Sequence, residues 1–423
     1  MTTAELLLAL IAIFVAAKAF GEIAERLGQP AVLGELAGGV LIGVSGLRLV
    51  DPHDVTIHLL SELGVILLLF VIGLETDLKK LMRVGGSATA VAVVGVALPL
   101  IGGIAFGRLL GMGMMVSVFL GASLTATSVG ITARVLSDLG HLQDDESQII
   151  LGAAVVDDII GLVLLTLVGT LAEGGELTFL GVGRIVLVAF GFVLLAIVIG
   201  SQLAPMLIRA IDRINMARGL FFASIVFAFL LAYIAQRVGS AIIIGSFAAG
   251  LVLARTHRGK EIAREVHDVS QFFVPIFFVV VGAAVDLRTI NPFDAAARPF
   301  VVIGLGLTII GVLGKVAAGY VVWKKGVKRT VIGVGMIPRG EVGLIFAQIG
   351  LSTRLLSAGL YSGVTVMIML TTFIAPPLLR RLLVQGPPEK LDSDSSDIVM
   401  DAPMDRSATT PHDSGSTETA ARR

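Results

Sequence analysis

Cysteine is absent from this chain of 423 residues, which excludes disulfide bonds, thiolate metal sites and cysteine nucleophiles. Charge is also scarce: Asp, Glu, Lys and Arg make up 15% of the residues, whereas soluble domains average about a quarter. Basic patches with interleaved aromatic residues do not occur, so we expect no nucleic-acid partner. The composition therefore does not fit a typical soluble protein.

Apolar residues and glycine take the place of the missing charge. Hydrophobic residues make up 55% of the chain, its mean hydropathy is +0.93, and it contains 50 glycines. Glycine lets helices approach closely in lipid, and pairs such as Gly34 and Gly38 have the spacing for this use. We therefore predict an all-α polytopic membrane protein.

Thirteen apolar windows are candidate membrane-spanning helices. They lie at 4–24, 30–47, 59–74, 86–109, 113–136, 147–171, 179–208, 218–236, 239–254, 269–285, 299–323, 329–351 and 357–382. Residues 1–384 thus form the predicted transmembrane domain. Residues 385–423 are rich in Ser, Thr, Asp and Pro, and we expect a disordered cytoplasmic tail there because the segment cannot bury a core.

Basic residues concentrate in alternate connections between the windows. Examples are Lys79 with Lys80 after the third window and Lys324 with Lys325 after the eleventh. Because cytoplasmic loops carry the excess of Lys and Arg, we predict a cytoplasmic C-terminus. An odd number of spans then places the N-terminus outside, and we expect the protein in a prokaryotic cell membrane.

Two adjacent carboxylates, Asp157 and Asp158, lie in the middle of the apolar run from Ile149 to Leu171. A charge at the membrane midplane costs about 2.5 to 3.5 kcal/mol on insertion scales, so such residues usually face a cavity and carry protons or ions. Neighbouring side chains on a helix point about 100° apart. One aspartate can therefore contact a transported ion while the other meets a partner. The alternative is a structural polar pair, although a hydroxyl or amide joins helices at lower cost.

The best candidate for that partner is Lys315, deep in the eleventh window. A buried ammonium keeps its proton when a carboxylate lies beside it, so making and breaking such a pair would act as a protonation switch. In the alternative, the lysine side chain extends to the membrane interface.

Two windows contain residues that favour a break in the helix. In the fifth, Thr127 and Ser128 belong to a run of hydroxyl residues flanked by glycines, where local unwinding would free carbonyl groups to coordinate a cation. In the twelfth, Pro338 removes a helix hydrogen bond and is followed by Arg339 and Glu341. With the seventh window set aside as a linker, the two breaks occupy matching places in two inverted six-helix halves. This is the pattern of an inverted-repeat transporter.

An ordered set of motifs in residues 1 to about 384 closely resembles the monovalent cation:proton antiporters of the sodium/proton exchanger family. The set comprises Gly34-Glu35-Leu36 with Gly38, Gly73-Leu74-Glu75, Thr125-Ala126-Thr127-Ser128, Asp157-Asp158, Lys315 and Pro338-Arg339-Gly340-Glu341. The resemblance implies a homodimer in which dimerisation and core subdomains interleave along the chain, with two crossed, discontinuous helices in the core. It also implies exchange of Na⁺, or Li⁺, for protons in pH homeostasis, without a cofactor or enzymatic activity.

The resemblance further implies roles for single residues. Asp158 would be the direct cation ligand, Asp157 would pair with Lys315, and Thr127 and Ser128 would lie beside the crossing point of the two discontinuous helices. These roles make Asp158 the site that a proton and a cation would share.

Residues of the twelfth window resemble a different branch of the family from the one that the aspartate pair resembles. Pro338, Arg339 and Glu341 are expected to support the discontinuous helix. The Asp-Asp pair with a lysine is similar to the motif of the charge-moving branch of the family. Arg339 and Glu341 are similar to the residues that other members carry in this helix.

Competition at one carboxylate is the expected mechanism, because either a proton or a cation neutralises the site before it moves. Oxygen ligands favour Na⁺, Li⁺ or K⁺ over soft metals, so a K⁺/H⁺ efflux antiporter is the alternative within this class. An intramembrane aspartyl protease needs its two acids on separate helices, and this chain carries both on one. A potassium channel needs a filter such as Thr-Val-Gly-Tyr-Gly, which the sequence lacks.

Other acidic residues lie near the ends of predicted windows. They are Glu35, Glu75, Asp144, Asp145 and Asp286. For each of them we expect a helix-end or solvated-loop role and no part in transport.

Overall fold

A computed structural model describes residues 1–172, 179–212, 219–287 and 297–384 of the chain; the predicted tail at 385–423 lies outside the described residues. The described elements are fifteen α-helices: α1 (Thr3–Arg26), α2 (Ala31–Ile42), α3 (Val55–Glu75), α4 (Leu78–Leu109), α5 (Met114–Ser123), α6 (Val129–Asp138), α7 (Asp145–Ala172), α8 (Phe179–Asp212), α9 (Gly219–Arg237), α10 (Ile242–Ala254), α11 (Gly259–Ala283), α12 (Arg298–Gly319), α13 (Arg329–Gly335), α14 (Glu341–Ser352) and α15 (Ala358–Leu383). Nine helices in this part of the chain are long and apolar enough to cross a membrane. The predicted all-α membrane fold is thereby confirmed.

Both predicted helix interruptions are present. α5 ends at Ser123 and α6 begins at Val129, and α13 ends at Gly335 and α14 begins at Glu341. A helix rises about 1.5 Å per residue, so none of these short helices alone crosses a hydrocarbon core of about 30 Å. Each pair therefore forms one interrupted crossing.

Two predicted helix starts are wrong by more than a few residues. The fourth window was expected to begin at 86, whereas α4 begins at Leu78. The tenth window was expected to begin at 269, whereas α11 begins at Gly259. Its first turns are amphipathic: Ile262 and Val266 are fully buried, and Arg258 just before the helix pairs with Glu261 at 3.0 Å. A hydropathy window ends at such charges, but the helix continues as long as one face can pack.

The helices pack into two groups, joined by few contacts. The scaffold group consists of α1 to α3 and α8 to α11, and the core group consists of α4 to α7 and α12 to α15. Contacts between the groups are made chiefly by α6 against α2 and α3, and by α7 against α8. Apart from α8, each predicted half of the chain contributes three crossings to each group.

On one side of the bundle, the loop between α2 and α3 contacts the N-terminus and the segment just after α11. The Met1 amine lies 3.7 Å from the Asp54 carboxylate, in the loop that leads into α3. In the same loop, the Ser45 hydroxyl donates a hydrogen bond of 2.5 Å to the Val285 carbonyl, just after α11. We call this side the amino-terminal face.

The opposite side holds the other connections. Lys324, after α12, lies 2.6 Å from Asp145 at the start of α7. The Arg380 guanidinium, near the end of α15, packs beside Gly28 after α1. We call this side the carboxyl-terminal face.

Glycine sets the spacing inside the scaffold group. A Cβ atom on Gly34 of α2 would collide with the Phe20 carbonyl of α1, and one on Gly282 of α11 would collide with the Leu36 carbonyl of α2. These helices thus approach with their backbones in contact, as small residues allow in membranes. The scaffold group is closely packed where its first and last helices meet.

Candidate ion-binding site

The two interrupted helices cross and are hydrogen-bonded to each other at their breaks. The Ser128 N–H donates to the Pro338 carbonyl at 2.7 Å, and the Thr132 hydroxyl donates to the Gly335 carbonyl at 2.7 Å. The Thr127 hydroxyl lies 3.4 Å from the Met336 carbonyl. Backbone groups left without helix partners at the breaks are satisfied across the crossing.

The Arg339 side chain donates hydrogen bonds to carbonyl groups at both helix breaks. Its side chain is fully buried, its Nε donates to the Leu124 carbonyl at 3.1 Å, and its Nη2 donates to the same oxygen. Its Nη1 donates to the Ile337 carbonyl at 2.8 Å. Leu124 is the C-cap of α5, where a helix end carries partial negative charge, so the guanidinium balances that charge.

Gly340 permits the close approach of the two breaks. A Cβ atom at this position would lie 2.9 Å from the Ser128 Oγ and 3.1 Å from the Ser128 Cβ. Any larger residue would push Ser128, and with it the start of α6, away from α14. The glycine after Arg339 is therefore required by the crossing itself.

Asp157 and Lys315 meet in the interior of the core group. The Lys315 Nζ lies 3.5 Å from each carboxylate oxygen of Asp157, and both side chains are fully buried. Asp157 and Asp158 attract this ammonium, and Arg339 repels it. The alternative in which Lys315 reaches the membrane interface is therefore wrong.

Asp158 has different surroundings from its neighbour. It is partly exposed, and both aspartates line a cavity of about 460 Å³ between the two helix groups. The cavity is also lined by Pro52 and His53, in the loop before α3 on the amino-terminal face. A route lined mainly by apolar residues thus joins that face to the aspartates.

A second, much smaller space lies at the crossing point. Its volume is about 10 Å³, and its lining includes Asp158, Thr127, Ser128 and Gly340. Such a volume is close to that needed for one water-sized particle. The structure therefore brings a carboxylate and two hydroxyl residues around a space that suits a small, partly dehydrated cation.

The remaining predicted residues have different outcomes. Pro338 takes part through its carbonyl, as described above. Glu341 is the first residue of α14, but its side chain lies outside the described residues. Glu35 lies near the start of α2, as a helix-end role requires, but it is only 6% exposed and does not belong to a solvated loop. The apolar sequence around it gave no sign that α1 and α6 would pack against the helix that carries it.

Two hydroxyl residues at the crossing were missed from the sequence. They are Thr132, which donates to the Gly335 carbonyl, and Thr372 of α15, which donates to the Arg339 carbonyl at 2.6 Å. Threonine in membrane helices often bonds to its own helix, as Thr308 does with the Gly304 carbonyl. Thr132 and Thr372 differ from Thr308 because their hydroxyls donate to carbonyl groups at the break of another helix, which only the folded structure reveals.

The fold and this site together define a class of protein. Buried carboxylates beside two crossed, interrupted helices are the arrangement of a membrane transporter that binds its ion near the midplane. Residues 8–385 match the family model described as sodium/hydrogen exchanger, transmembrane. The chain therefore belongs to the sodium/hydrogen exchanger family, whose members are transporters.

Curated relatives agree with this assignment. The chain is 42% identical over 415 residues to the high-affinity Na⁺/H⁺ antiporter NhaS3 of Synechocystis sp., covering 90% of each chain. It is 36% identical over 378 residues to the Na⁺/H⁺-K⁺ antiporter GerN of Bacillus cereus, covering 87% of this chain and 94% of that one.

A solved structure has the same fold. The sodium proton antiporter MjNhaP1 from Methanocaldococcus jannaschii matches with a TM-score of 0.64 and 19% identity. The match covers 90% of this chain and 98% of the other. The predicted antiporter fold is thereby confirmed.

Proposed function

We propose that this chain is a secondary active transporter that exchanges Na⁺ for protons by alternating access. The main support is the contrast between its adjacent aspartates. Asp157 is fully buried against Lys315, whereas Asp158 is partly exposed to the cavity and to the small space at the crossing. Asp157 is thus packed against Lys315, whereas Asp158 lies at the spaces that an incoming ion can enter.

In this proposal, Asp158 binds the cation directly and Thr127 and Ser128 complete its surroundings. All three lie around the same small space, and all supply oxygen atoms, which suit Na⁺ or Li⁺. Lys315 holds Asp157, and Arg339 holds the breaks together with Pro338. Each of these positioning groups is fully buried, so little rearrangement is needed when the ion binds.

Exchange follows from charge neutralisation at Asp158. Moving an uncompensated carboxylate through the apolar middle of a membrane is costly. The core group therefore moves only with a proton or a cation on Asp158, and each passage of a cation in one direction is matched by proton passage in the other. Whether net charge moves depends on whether Lys315 also exchanges a proton in each cycle.

The two helix groups supply the moving parts. Because few helices join them, the core group can shift as a body past the scaffold group. We infer that the chain forms a homodimer through its scaffold group, which leaves the core group free to move. We also infer a cytoplasmic carboxyl-terminal face, in keeping with the basic residues on that side, and a role in pH and sodium homeostasis of a prokaryotic cell.

The names of the relatives support Na⁺ as the cation, since NhaS3 and GerN are both described as Na⁺/H⁺ antiporters. The name of GerN also includes K⁺, so the test includes that ion. The protein is reconstituted into proteoliposomes with an acidic lumen and a pH-sensitive dye inside. Na⁺, Li⁺, K⁺ or choline is then added outside, and alkalinisation of the lumen is recorded.

Na⁺ is expected to alkalinise the lumen and choline to leave it unchanged. Asp158→Asn is expected to abolish the response, because the amide cannot exchange a proton for a cation. A response to K⁺ but not Na⁺ would establish the alternative K⁺/H⁺ exchange. Unchanged exchange in Asp158→Asn liposomes would overturn the assignment of the ion ligand.

A further inference from the structure

The two sides of the ion site are closed to different degrees. Toward the amino-terminal face, the large cavity separates the helix groups as far as Asp158. Toward the carboxyl-terminal face, α6 packs against α2 and α3. There Val129 and Ile131 of α6 share one buried apolar cluster with Leu36, Leu68 and Leu69 of the scaffold group.

A polar layer lies beyond this apolar contact, near the carboxyl-terminal face. The Ser137 hydroxyl of α6 donates to the Glu75 carboxylate of α3 at 3.4 Å. The Gln143 side-chain amide, in the loop after α6, donates to the Glu75 backbone carbonyl. Arg134 of α6 forms an ion pair of 3.0 Å with Asp138 on the same helix. Polar groups of the core group therefore meet the end of α3 in the scaffold group.

Glu35 belongs to the same layer but is less well satisfied. The charged groups that act on its carboxylate are Arg134 and Asp138 from α6 and Lys18 and Glu25 from α1. Its Oε2 is buried and accepts no hydrogen bond within the described part of the chain. A buried carboxyl oxygen without a hydrogen bond is unfavourable and calls for a physical reason. Withdrawal of α6 would expose this oxygen to water.

We propose that Glu35 and Glu75 of the scaffold group, together with Arg134 and Ser137 of the core group, form a gate on the carboxyl-terminal side of the ion site. The gate is closed when the cavity connects the site to the amino-terminal face. It opens when α6 moves with the core group, and Glu35 then gains water as the site becomes accessible from the other face. The inference rests on the proposed exchange function and adds the contacts that must break in each cycle.

The absence of cysteine makes a direct test possible, since a pair of introduced cysteines would be the only two in the chain. Cysteines replace Glu35 and Arg134 in the full chain, and exchange is measured in proteoliposomes before and after bridging with a short bis-methanethiosulfonate reagent. Bridging holds the gate closed, so we expect exchange to fall at least about tenfold and to return when a reductant removes the bridge.

A matched control uses cysteines at Asp145 and Lys324. These side chains lie 2.6 Å apart near the same face, but both belong to the core group, so no movement between groups should be blocked. The bridged control is expected to exchange at its unbridged rate. A second gate pair, Glu75→Cys with Ser137→Cys, provides the same test if the first pair does not assemble.

The outcomes separate the two ideas. Full exchange by a bridged gate pair would overturn the gate, and so would equal loss of exchange in the bridged control. A wild-type chain that exchanges no ion would contradict the proposed function. Exchange in the unbridged variant that is lost only on bridging supports both.

Discussion

Two adjacent aspartates on α7 have different surroundings because the helix turns about 100° between them. Asp157 is fully buried with the Lys315 ammonium 3.5 Å away, and Asp158 is partly exposed and also lines the small space at the crossing. Leaving one charge of a fully buried pair without its partner is much more costly than replacing both. The pair is thus a stability element as well as part of the proposed site.

Lys315→Met should therefore lower the stability of the protein by about 3 to 5 kcal/mol, because it leaves the Asp157 carboxylate buried without a counterion. The double variant Asp157→Asn with Lys315→Met should recover much of this loss, since neither charge remains. Thermal unfolding in detergent measures both. A single variant that melts like the wild type would show that the pair contributes nothing to stability.

The charged members of the site could be predicted because charge at membrane depth is rare. Asp157, Asp158, Lys315 and Arg339 all stood out from apolar sequence for this reason. The acceptor of Arg339 could not be predicted, because the Leu124 carbonyl becomes available only where α5 ends against the second break. The sequence identifies the charged groups that are unfavourable at membrane depth. Their hydrogen-bond partners depend on which distant segments pack together.

At the scale of helices, the sequence predicts the two breaks best, the one between α5 and α6 and the one between α13 and α14. Proline and glycine in the twelfth window and hydroxyl residues between glycines in the fifth weaken a helix locally. The start of α11 was mistaken by ten residues because its first turns are amphipathic, with charges on one side and Ile262 and Val266 on the other. Hydropathy alone cannot follow a helix that leaves the membrane and continues along the protein surface.

Thr132→Val should destabilise the crossing by about 1 to 2 kcal/mol, because the Gly335 carbonyl near the end of α13 would lose its donor. Valine has nearly the same shape as threonine, so packing changes little. Chemical unfolding in detergent measures the loss.

Thr308→Val is the matched control for this change. The Thr308 hydroxyl donates to the Gly304 carbonyl within α12, where that oxygen also has a helix partner. We expect a smaller effect than for Thr132→Val. An equal loss of stability in the two variants would show that the hydrogen bond across the crossing contributes no more than one within a helix.

At the scale of the whole molecule, the arrangement is two helix groups with a cavity on one side of the ion site and close packing on the other. The order of the windows made the inverted halves predictable. The division into groups depends on contacts between distant helices, such as α3 with α10 and α11, which no local pattern reveals. The buried position of Glu35 was missed for the same reason.

The orientation of these groups can be measured with reporter fusions. Green fluorescent protein joined after Leu383 should fluoresce, and alkaline phosphatase joined there should be inactive, because we place the carboxyl-terminal face in the cytoplasm. Fusions at Gly239, between α9 and α10, should give the opposite pattern. Active phosphatase after Leu383 would reverse the orientation and place the cavity on the cytoplasmic side.

In the proposed mechanism, Na⁺ and a proton compete for Asp158. Purified protein in detergent and weak buffer is titrated with NaCl, with choline chloride for ionic strength, while released protons are measured. The wild type is predicted to release protons as Na⁺ binds, and Asp158→Asn is predicted to release none. Na⁺ binding by the wild type without proton release, or equal release by the variant, would contradict the account.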